Sequence, residues 1–466
     1  MKRKTEAANG RSAVKSNGNA PDVLETTMKG YNSGFQLFHM TIVPVFLIAF
    51  TPNMVILLWY TAVHTDGSFM ELGRYFQREG VIPGMVKIWS GIQIVSMFSL
   101  SVVIGYSTFA LLLMKFVPGR TFKGPVTPKG NTPVYKDNGF ACYIISMTAF
   151  SLLTVALKQY GYSTSIVYDK FDEILATLCV FSLVFCLMLY IKGINWPTTT
   201  DSGSSGNFIF DYYWGTELYP RIFGFDVKTF TNCRFGMTVW PLLVAVHAIK
   251  SYELYGFVDS MFVSALLQFL YMTKFFWWEA GYMWTIDIML DRAGYYICWG
   301  CLVYVPGLYA SPSLYLVNHP VQLGLPLTVF LLVGGALSIY VNYWADEQKQ
   351  HVRKSNGDCL VWGAKPDIIR ASYVLENGEK RESILLASGF WGVARHFHYL
   401  PEWMLSFAWS VPALFNNIMP YIYFLWLVIL LTHRSFRDDE KCGKKYGKFW
   451  TEYRQRVPYR VIPGIF

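Results

Sequence analysis

Residues 385–399, LLASGFWGVARHFHY, place Trp391, Arg395, His396, His398 and Tyr399 within a few positions of one another. Flat aromatic rings can stack on a ligand ring, and the arginine and histidines can bond an anion or an amide. Gly389 and Gly392 let a group approach the backbone closely. The alternative is an amphipathic interfacial helix with aromatic anchors. Upstream, ADEQKQHVRKSNG sets Lys349 and Arg353 one helical turn apart. Such a like-charge pair is unfavourable by a few tenths of a kcal/mol unless an anion bridges it, and phosphate is the natural bridge. A solvated helix face is the other reading. Downstream, HRSFRDDEKCGKKYGKFWTEYRQRVPYRVIPGIF offers Arg437, Asp438, Lys444, Lys445, Tyr446 and Tyr453. An acidic residue can accept hydroxyl or amide hydrogens and lysines can hold phosphate. A basic lipid-binding tail is the competing reading. No G-x-G-x-x-G or Walker loop occurs, so a nucleotide site here is of neither Rossmann nor P-loop type.

A second set of residues suits acid chemistry. In FFWWEAGYMWTIDIMLDRAGYYICWG, residues 275–300, Glu279, Asp287, Asp291 and Arg292 stand in an apolar and aromatic background. Ionisable groups at membrane depth are costly, so they pair or serve a site. Glu279 and Asp287, eight apart, would share one side of a helix; an ion pair with Arg292 is the structural alternative. Residues 304–320, YVPGLYASPSLYLVNHP, interrupt an apolar span with Pro306, Gly307 and Pro312. A broken helix is tolerated where its backbone lines a cavity, into which Tyr304, Tyr309 and Tyr315 would project phenols. A kinked packing helix explains the same residues. Glu217, Arg221, Asp226 and Lys228 read as a surface ion-pair network. Cys298 and Cys301 lack a second pair for zinc, so no metal site is expected.

The elements that position these residues follow from composition. The chain is 53% hydrophobic, 18% aromatic and 15% charged, well below the quarter charged of soluble domains. Its net charge of +9 fits basic loops on the cytosolic side of a membrane and calls for no nucleic acid. Eight cysteines show no disulfide framework. Apolar stretches of spanning length fall near residues 37–60, 89–114, 138–158, 174–194, 235–250, 257–278, 294–317 and 321–344. The block 402–432, broken by Pro412, Asn416-Asn417 and Pro420, reads as a helical hairpin. The expected fold is an all-α integral membrane protein of about ten transmembrane helices. A polar tail (1–34) precedes an N-terminal helical part (35–234) and a C-terminal half (235–466). Basic residues at Lys2, Arg3, Lys4 and after the second span put the tail, residues 345–384 and the C-terminus in the cytosol. There, ASYVLENGEKRESILL alternates around Asn377-Gly378, the signal of a small β-hairpin with a type I′ turn.

LLASGFWGVARHFHY, HPVQLG, CLVWGAKP and KYGKFWTEYRQRVPYRVIPGIF resemble the sterol reductases of the endoplasmic reticulum, over roughly residues 85–466 and most densely after 210. Within that family the Δ7-reducing branch, in its plant-type form, is the most similar. The resemblance implies a multi-pass endoplasmic reticulum protein with a cytosol-facing NADPH pocket beside a lipid-accessible sterol pocket. The positions matching the family's cofactor contacts are Lys349, Arg353, Leu386, Trp391, His398, Tyr399, Asp438, the run Cys442, Gly443, Lys444, Lys445 and Tyr446, and Tyr453. His398 stands where many members carry asparagine, Leu400-Pro401-Glu402 replaces a Gly-Asp pair, and Cys301 and Pro312 replace an Asp and a Gln of the animal pattern.

The implied reaction is reduction of the 7,8 double bond of Δ5,7-sterols. Carbon 8 is protonated, an allylic cation forms, and hydride attacks carbon 7. A buried acid and a dry pocket are required. Tyr309, supported by Asp287 or Glu279, is the candidate acid, and no metal is needed. The implied partners are the sterol, membrane lipid and other enzymes of sterol biosynthesis. The alternatives are a Δ14-sterol reductase, a methyltransferase resembling the isoprenylcysteine enzymes, and a sterol-binding scaffold without activity.

Overall fold

A computed structural model describes residues 33–127, 129–375 and 378–466. The basic residues Lys2, Arg3 and Lys4, nearly all of the expected polar tail, and Asn377 of the expected hairpin turn lie outside the described residues. Among the described residues, seven helices are long and apolar enough to cross a membrane: Gly34–His64, Met97–Phe116, Gly139–Gln159, Phe171–Asn195, Tyr295–Asn318, Leu325–Lys354 and Met419–Tyr446. Met237–Tyr255 and Asp259–Trp277 run 19 residues each, or about 28 Å, close to the thickness of a hydrocarbon core. Both are less apolar because they bury polar side chains inside the bundle, among them His247, Ser251, Ser264 and Gln268. Shorter helices connect these, and the strands among the described residues form three short antiparallel pairs.

Local differences from the sequence reading have plain causes. The span expected from residue 89 starts at Met97, because a separate helix, Val81–Ser90, ends before it and the Ser96 side chain caps the new one. The span near 294–317 forms as Tyr295–Tyr309, wound in wide π-type turns around Pro306, followed by Ser311–Asn318 with Pro312 in its first turn. The block 402–432 does form a hairpin: Tyr399–Ser410 turns through Val411–Ala413 and Met419–Tyr421 into Ile422–Tyr446. One apolar core joins residues from both halves of the chain, including Val55, Leu175, Trp240, Leu302 and Leu427.

Strands Ile368–Val374 and Lys380–Leu386 pair from Ile368↔Leu386 to Val374↔Lys380. Alternation gives this hairpin one apolar face, and Ile369, Ala371 and Leu385 bury it against Tyr446, Trp450, Tyr453 and Val457. The C-terminal helix Lys448–Arg456 is thereby fixed against this hairpin and the end of Ile422–Tyr446.

The acidic segment does not form one helix. Glu279–Tyr282 and Ile286–Met289 are separate single turns, so helical spacing does not place Glu279 and Asp287 on one face. Their partners also differ from the expected Arg292, which donates to the Gly203 carbonyl at 2.7 Å. Both terminal nitrogens of Arg234 meet Glu279, and Arg234 also reaches Asn138 at 2.8 Å. Arg434 pairs with Asp287, and Arg437 with Asp291 at 2.6 Å. Lys228, expected in a surface network, is buried and donates to the carbonyls of Ile288 (2.7 Å) and Asp291 (2.6 Å). A Cβ at Gly139 would stand 2.1 Å from Glu279, so only glycine fits beside this carboxylate.

Removing one member of a buried pair strands the other, at about 3–5 kcal/mol. Arg234→Met is therefore expected to lower the thermal midpoint of the detergent-purified protein sharply. The Arg234→Met/Glu279→Leu double variant should recover most of that loss, and a double variant no more stable than the single would contradict the pairing.

Candidate functional site

The site is assembled where the C-terminal end of Leu325–Lys354, the loop after strand Lys380–Leu386, and the C-terminal helices meet. Trp391 is the pivot. Its indole N–H donates to the Ala345 carbonyl at 2.6 Å, and its own carbonyl accepts from the Tyr453 hydroxyl at 3.0 Å. Beside it, the Phe390 N–H donates to Gln348 at 2.9 Å. Gly389 adopts φ +60°, and a Cβ there would lie 2.2 Å from Gln348, so glycine is required for the loop to close on the helix. The Lys349 ammonium sits 3.4 Å above the Trp391 ring. Such a cation–π contact gives a buried lysine part of the compensation that water would otherwise supply.

Around this pivot, His398 lies 5.0 Å from Trp391 and 4.4 Å from Tyr399, while His396 stacks on Tyr399 at 5.1 Å. Asp438 faces His396 at 3.8 Å and Cys442 at 3.7 Å. Lys349, Trp391, His398, Tyr399, Asp438, Cys442 and Tyr453 are thus linked by direct contacts, some through His396. On the hairpin side, Arg353 donates to the Ile384 carbonyl at 3.2 Å, and Leu386 packs in the small cluster that contains Trp391. Lys445 lies 4.0 Å over Tyr373, whose ring also meets Tyr446. Gly443 stands one turn before the helix end, near Trp450, and Lys444 turns outward to the exposed Glu440 at 2.7 Å. Arg395, expected to face an anion, instead gives Nη1 to the carbonyls of Val457 and Pro458, at 2.7 and 2.8 Å.

Burial pushes the His396 imidazole down to about 4 and holds that of His398 well below its ordinary value, so both are neutral near pH 7. His396 Nε2, His398 Nδ1, Arg395 Nε and Arg434 Nε are buried without hydrogen-bond partners among the described residues. Buried polar groups ordinarily find partners. Unused ring nitrogens and an ammonium on an indole face suit a ligand that carries both phosphates and a flat amide-bearing ring.

The Tyr309 ring lies in an aromatic box, 5.1 Å from Trp240, 4.8 Å from Tyr423 and 5.3 Å from Trp426. Tyr304 edges the box at 6.5 Å. Tyr315 does not join it; its ring stacks on His319 at 3.9 Å, beside Asp66. Glu279 and Asp287 are taken up by Arg234 and Arg434, and neither hydrogen-bonds Tyr309. A groove of about 400 Å³ between Gly139–Gln159, Met237–Tyr255 and Asp259–Trp277 is lined by residues such as Phe150, Ala245 and Phe269; no ionisable group faces it.

One polar chain was not anticipated. Lys274 donates to Asn342 at 2.5 Å, Asn342 donates to Glu402 at 3.0 Å and to the His398 carbonyl at 2.8 Å, and the Tyr271 hydroxyl donates to Glu402. The Tyr271 ring lies 5.8 Å from Trp240 and 5.6 Å from Trp409. The chain therefore joins the histidine cluster to the aromatic box. Its signal was present: Lys274 and Glu402 are ionisable residues flanked by apolar ones, and such residues mark sites.

The sequence profile of the Ergosterol biosynthesis ERG4/ERG24 family matches residues 51–466. The chain is 50% identical over 423 residues to the 7-dehydrocholesterol reductase of Arabidopsis thaliana, covering 90% of this chain and 96% of that protein. It is 39% identical over 361 residues to the 7-dehydrocholesterol reductase of Xenopus laevis, covering 76% of each. To the Delta(14)-sterol reductase erg24 of Schizosaccharomyces pombe it is 34% identical over 367 residues, 78% of this chain and 83% of that one.

A histidine held neutral by burial contributes stability that is complete above its free value of 6.5 and is lost as pH falls toward its folded value of about 4. For His396 the full loss amounts to about 3 kcal/mol. His396→Phe keeps the stack on Tyr399 and removes the titration. Its melting temperature is expected to fall less than that of the unmodified protein between pH 6.5 and 4, and parallel curves would place the site's pH sensitivity elsewhere.

Proposed function

The chain belongs to the Ergosterol biosynthesis ERG4/ERG24 family, and on that premise we propose that it reduces the 7,8 double bond of Δ5,7-sterols with NADPH. It is a sterol reductase of the membrane. The observation that carries the Δ7 assignment is its identity to the plant 7-dehydrocholesterol reductase along nearly that protein's whole length. Its similarity to Delta(14)-sterol reductases makes 14-ene reduction the competing outcome.

In this reading residues 235–466 form the reductase half and 35–234 the supporting helices. The protein lies in the endoplasmic reticulum with its cofactor pocket toward the cytosol, where other enzymes of sterol biosynthesis can exchange substrate with it. When bound, NADPH supplies the hydride. Lys349 and Arg353 hold phosphate, with Lys444 and Lys445 at the outer edge. Trp391, Tyr399 and Tyr453 bound a flat ring. The free nitrogens of His396 and His398 bond polar groups of the ligand, and Asp438 accepts from a hydroxyl or amide. Leu386, Cys442, Gly443 and Tyr446 close the pocket against water.

The residues of the aromatic box exclude water from the sterol, so that a cation formed there is not captured by water. The Tyr309 hydroxyl gives its proton to carbon 8 of the diene. Asp287 acts at longer range through Arg434, and Glu279 through Arg234. A second donor is favoured by one observation, the hydrogen bond from Tyr271 to Glu402 next to the same box. In that reading Glu402 orients the Tyr271 hydroxyl, which delivers the proton to carbon 8 and is reprotonated from solvent after turnover.

The test is purified protein in detergent with NADPH and either 7-dehydrocholesterol or a 14-ene sterol. The conjugated-diene ultraviolet band should disappear with matching oxidation of NADPH. Reduction of the 14-ene with survival of the diene would reassign the substrate, and sterol binding without NADPH oxidation would make the protein a scaffold. Each charge-assisted contact to phosphate is worth about 1.5–3 kcal/mol. Arg353→Ala should therefore raise the KM for NADPH roughly tenfold or more and leave sterol binding nearly intact.

Tyr309→Phe and Tyr271→Phe separate the two donors. The variant that lacks the true acid should lose about a hundredfold or more in kcat while still binding sterol. Full activity in Tyr309→Phe would leave that ring as a wall of the pocket.

A further inference from the structure

Two reverse turns share an unusual construction. Ile222 and Phe225 pair across Phe223-Gly224, and Val361 and Ala364 exchange backbone hydrogen bonds of 2.8 and 3.1 Å across Trp362-Gly363. Both central residues of each turn have positive φ: 50° and 84° at Phe223 and Gly224, 50° and 82° at Trp362 and Gly363. This is the type I′ geometry, whose first central position favours asparagine, aspartate or glycine. A bulky aromatic residue there is strained. Each turn nevertheless presents its ring outward: Phe223 is 98% exposed and Trp362 61%. The rings contribute little to the core, so their use lies outside the fold.

Chain parity puts both tips on one side of the membrane. Phe171–Asn195 ends on that side, and Met237–Tyr255 starts from it. Asp259–Trp277 returns to it, Tyr295–Asn318 leaves it, and Leu325–Lys354 comes back to it. The tips also lie at span ends. Arg221 N–H donates at 3.0 Å to Thr198, three residues past Asn195, and the exposed Trp196 stands between them. Trp362 meets Phe390 edge-on at 5.0 Å, and Phe390 is bonded to Gln348. One turn earlier on the same helix face lies the exposed Trp344, 5.5 Å from Tyr340. Exposed aromatics at the ends of spans occupy the headgroup level of a bilayer. Arg221 and Lys365, two and three residues from the tips, supply cations for anionic headgroups.

We propose that Phe223 and Trp362 are membrane-inserting tips. They enter the boundary between headgroups and acyl chains in the leaflet on the cofactor side, and their ligand is phospholipid. Together with Trp196 and the exposed Leu360 they hold the cofactor side of the protein at a fixed depth against the bilayer. Nothing in this inference depends on which double bond is reduced.

The test uses the full chain in nanodiscs of phosphatidylcholine and phosphatidylserine. Nitroxide labels are placed at Phe223→Cys and Trp362→Cys, with Lys380→Cys on the exposed hairpin strand as aqueous reference and the unsubstituted protein as background. Collision with oxygen relative to an aqueous nickel chelate should be several-fold higher at both tips than at the reference. A ratio equal to the reference at both tips overturns the proposal and points to a protein partner. Where a cysteine variant misfolds, lipid brominated near the headgroup reads the same position. The fluorescence difference between the natural protein and Trp362→Phe should be quenched by more than half, and an unquenched difference overturns the insertion of that tip.

Discussion

Charge neutralisation between apolar helices is the constraint on which the rest of this structure depends. Glu279, Asp287 and Asp291 lie in a segment with little regular structure of its own, and each carboxylate is met by a different arginine. Arg234 belongs to the turns that lead into Met237–Tyr255, whereas Arg434 and Arg437 project from Met419–Tyr446. Lys228 adds two bonds to backbone carbonyls of the same segment. An unpaired charge at these depths would cost several kcal/mol. The segment therefore fixes where Met419–Tyr446 lies relative to Met237–Tyr255 and Asp259–Trp277. Asp438 and Cys442 follow on Met419–Tyr446, so the histidine cluster they face inherits its position from the buried pairs.

The second consequence is a division of labour between two neighbouring regions. The histidine cluster is polar, with donors and acceptors left over; the aromatic box around Trp240, Tyr309, Trp409 and Tyr423 offers ring faces and few polar atoms. In the proposed reading a cofactor with phosphates occupies the first and a sterol ring system the second. The Asn342 side chain touches both, through the His398 carbonyl and Glu402. In the proposed reading that contact lies between the two ligands and keeps them close. Such closeness is what hydride transfer requires.

Much of this was legible in the sequence because its determinants are local. Apolar length located most spans, Pro412 and Pro420 marked the helical hairpin, and the alternation in residues 368–386 marked the strand pair. The cluster of Trp391, His398 and Tyr399 was visible because these residues are near neighbours in the chain. What was not legible depends on long-range pairing. Arg234 with Glu279 and Arg434 with Asp287 join residues 45 and 147 positions apart, and no local pattern prefers them to the adjacent Arg292. Arg395 carried the right chemistry for an anion, yet the carbonyls of Val457 and Pro458 claim it. Lys274 and Glu402 are ionisable residues among apolar ones, but neither was singled out in the sequence, and their connection through Asn342 needed three helices to be placed.

The neutral histidines limit repulsion in a region that several cationic side chains approach. Lys349, Arg353, Arg395 and Arg434 already bring positive charge into a small region, and protonated imidazoles at His396 and His398 would add two more. Burial keeps those rings neutral, so their free nitrogens can serve as donors or acceptors according to tautomer. The indole face of Trp391 then takes over part of the burden of Lys349. In the proposed reading a phosphate-bearing ligand would meet the cations of Lys349 and Arg353 and uncharged, adaptable ring nitrogens. The cations supply the attraction and the neutral rings supply the orientation, without the repulsion that six charged side chains would impose on one another.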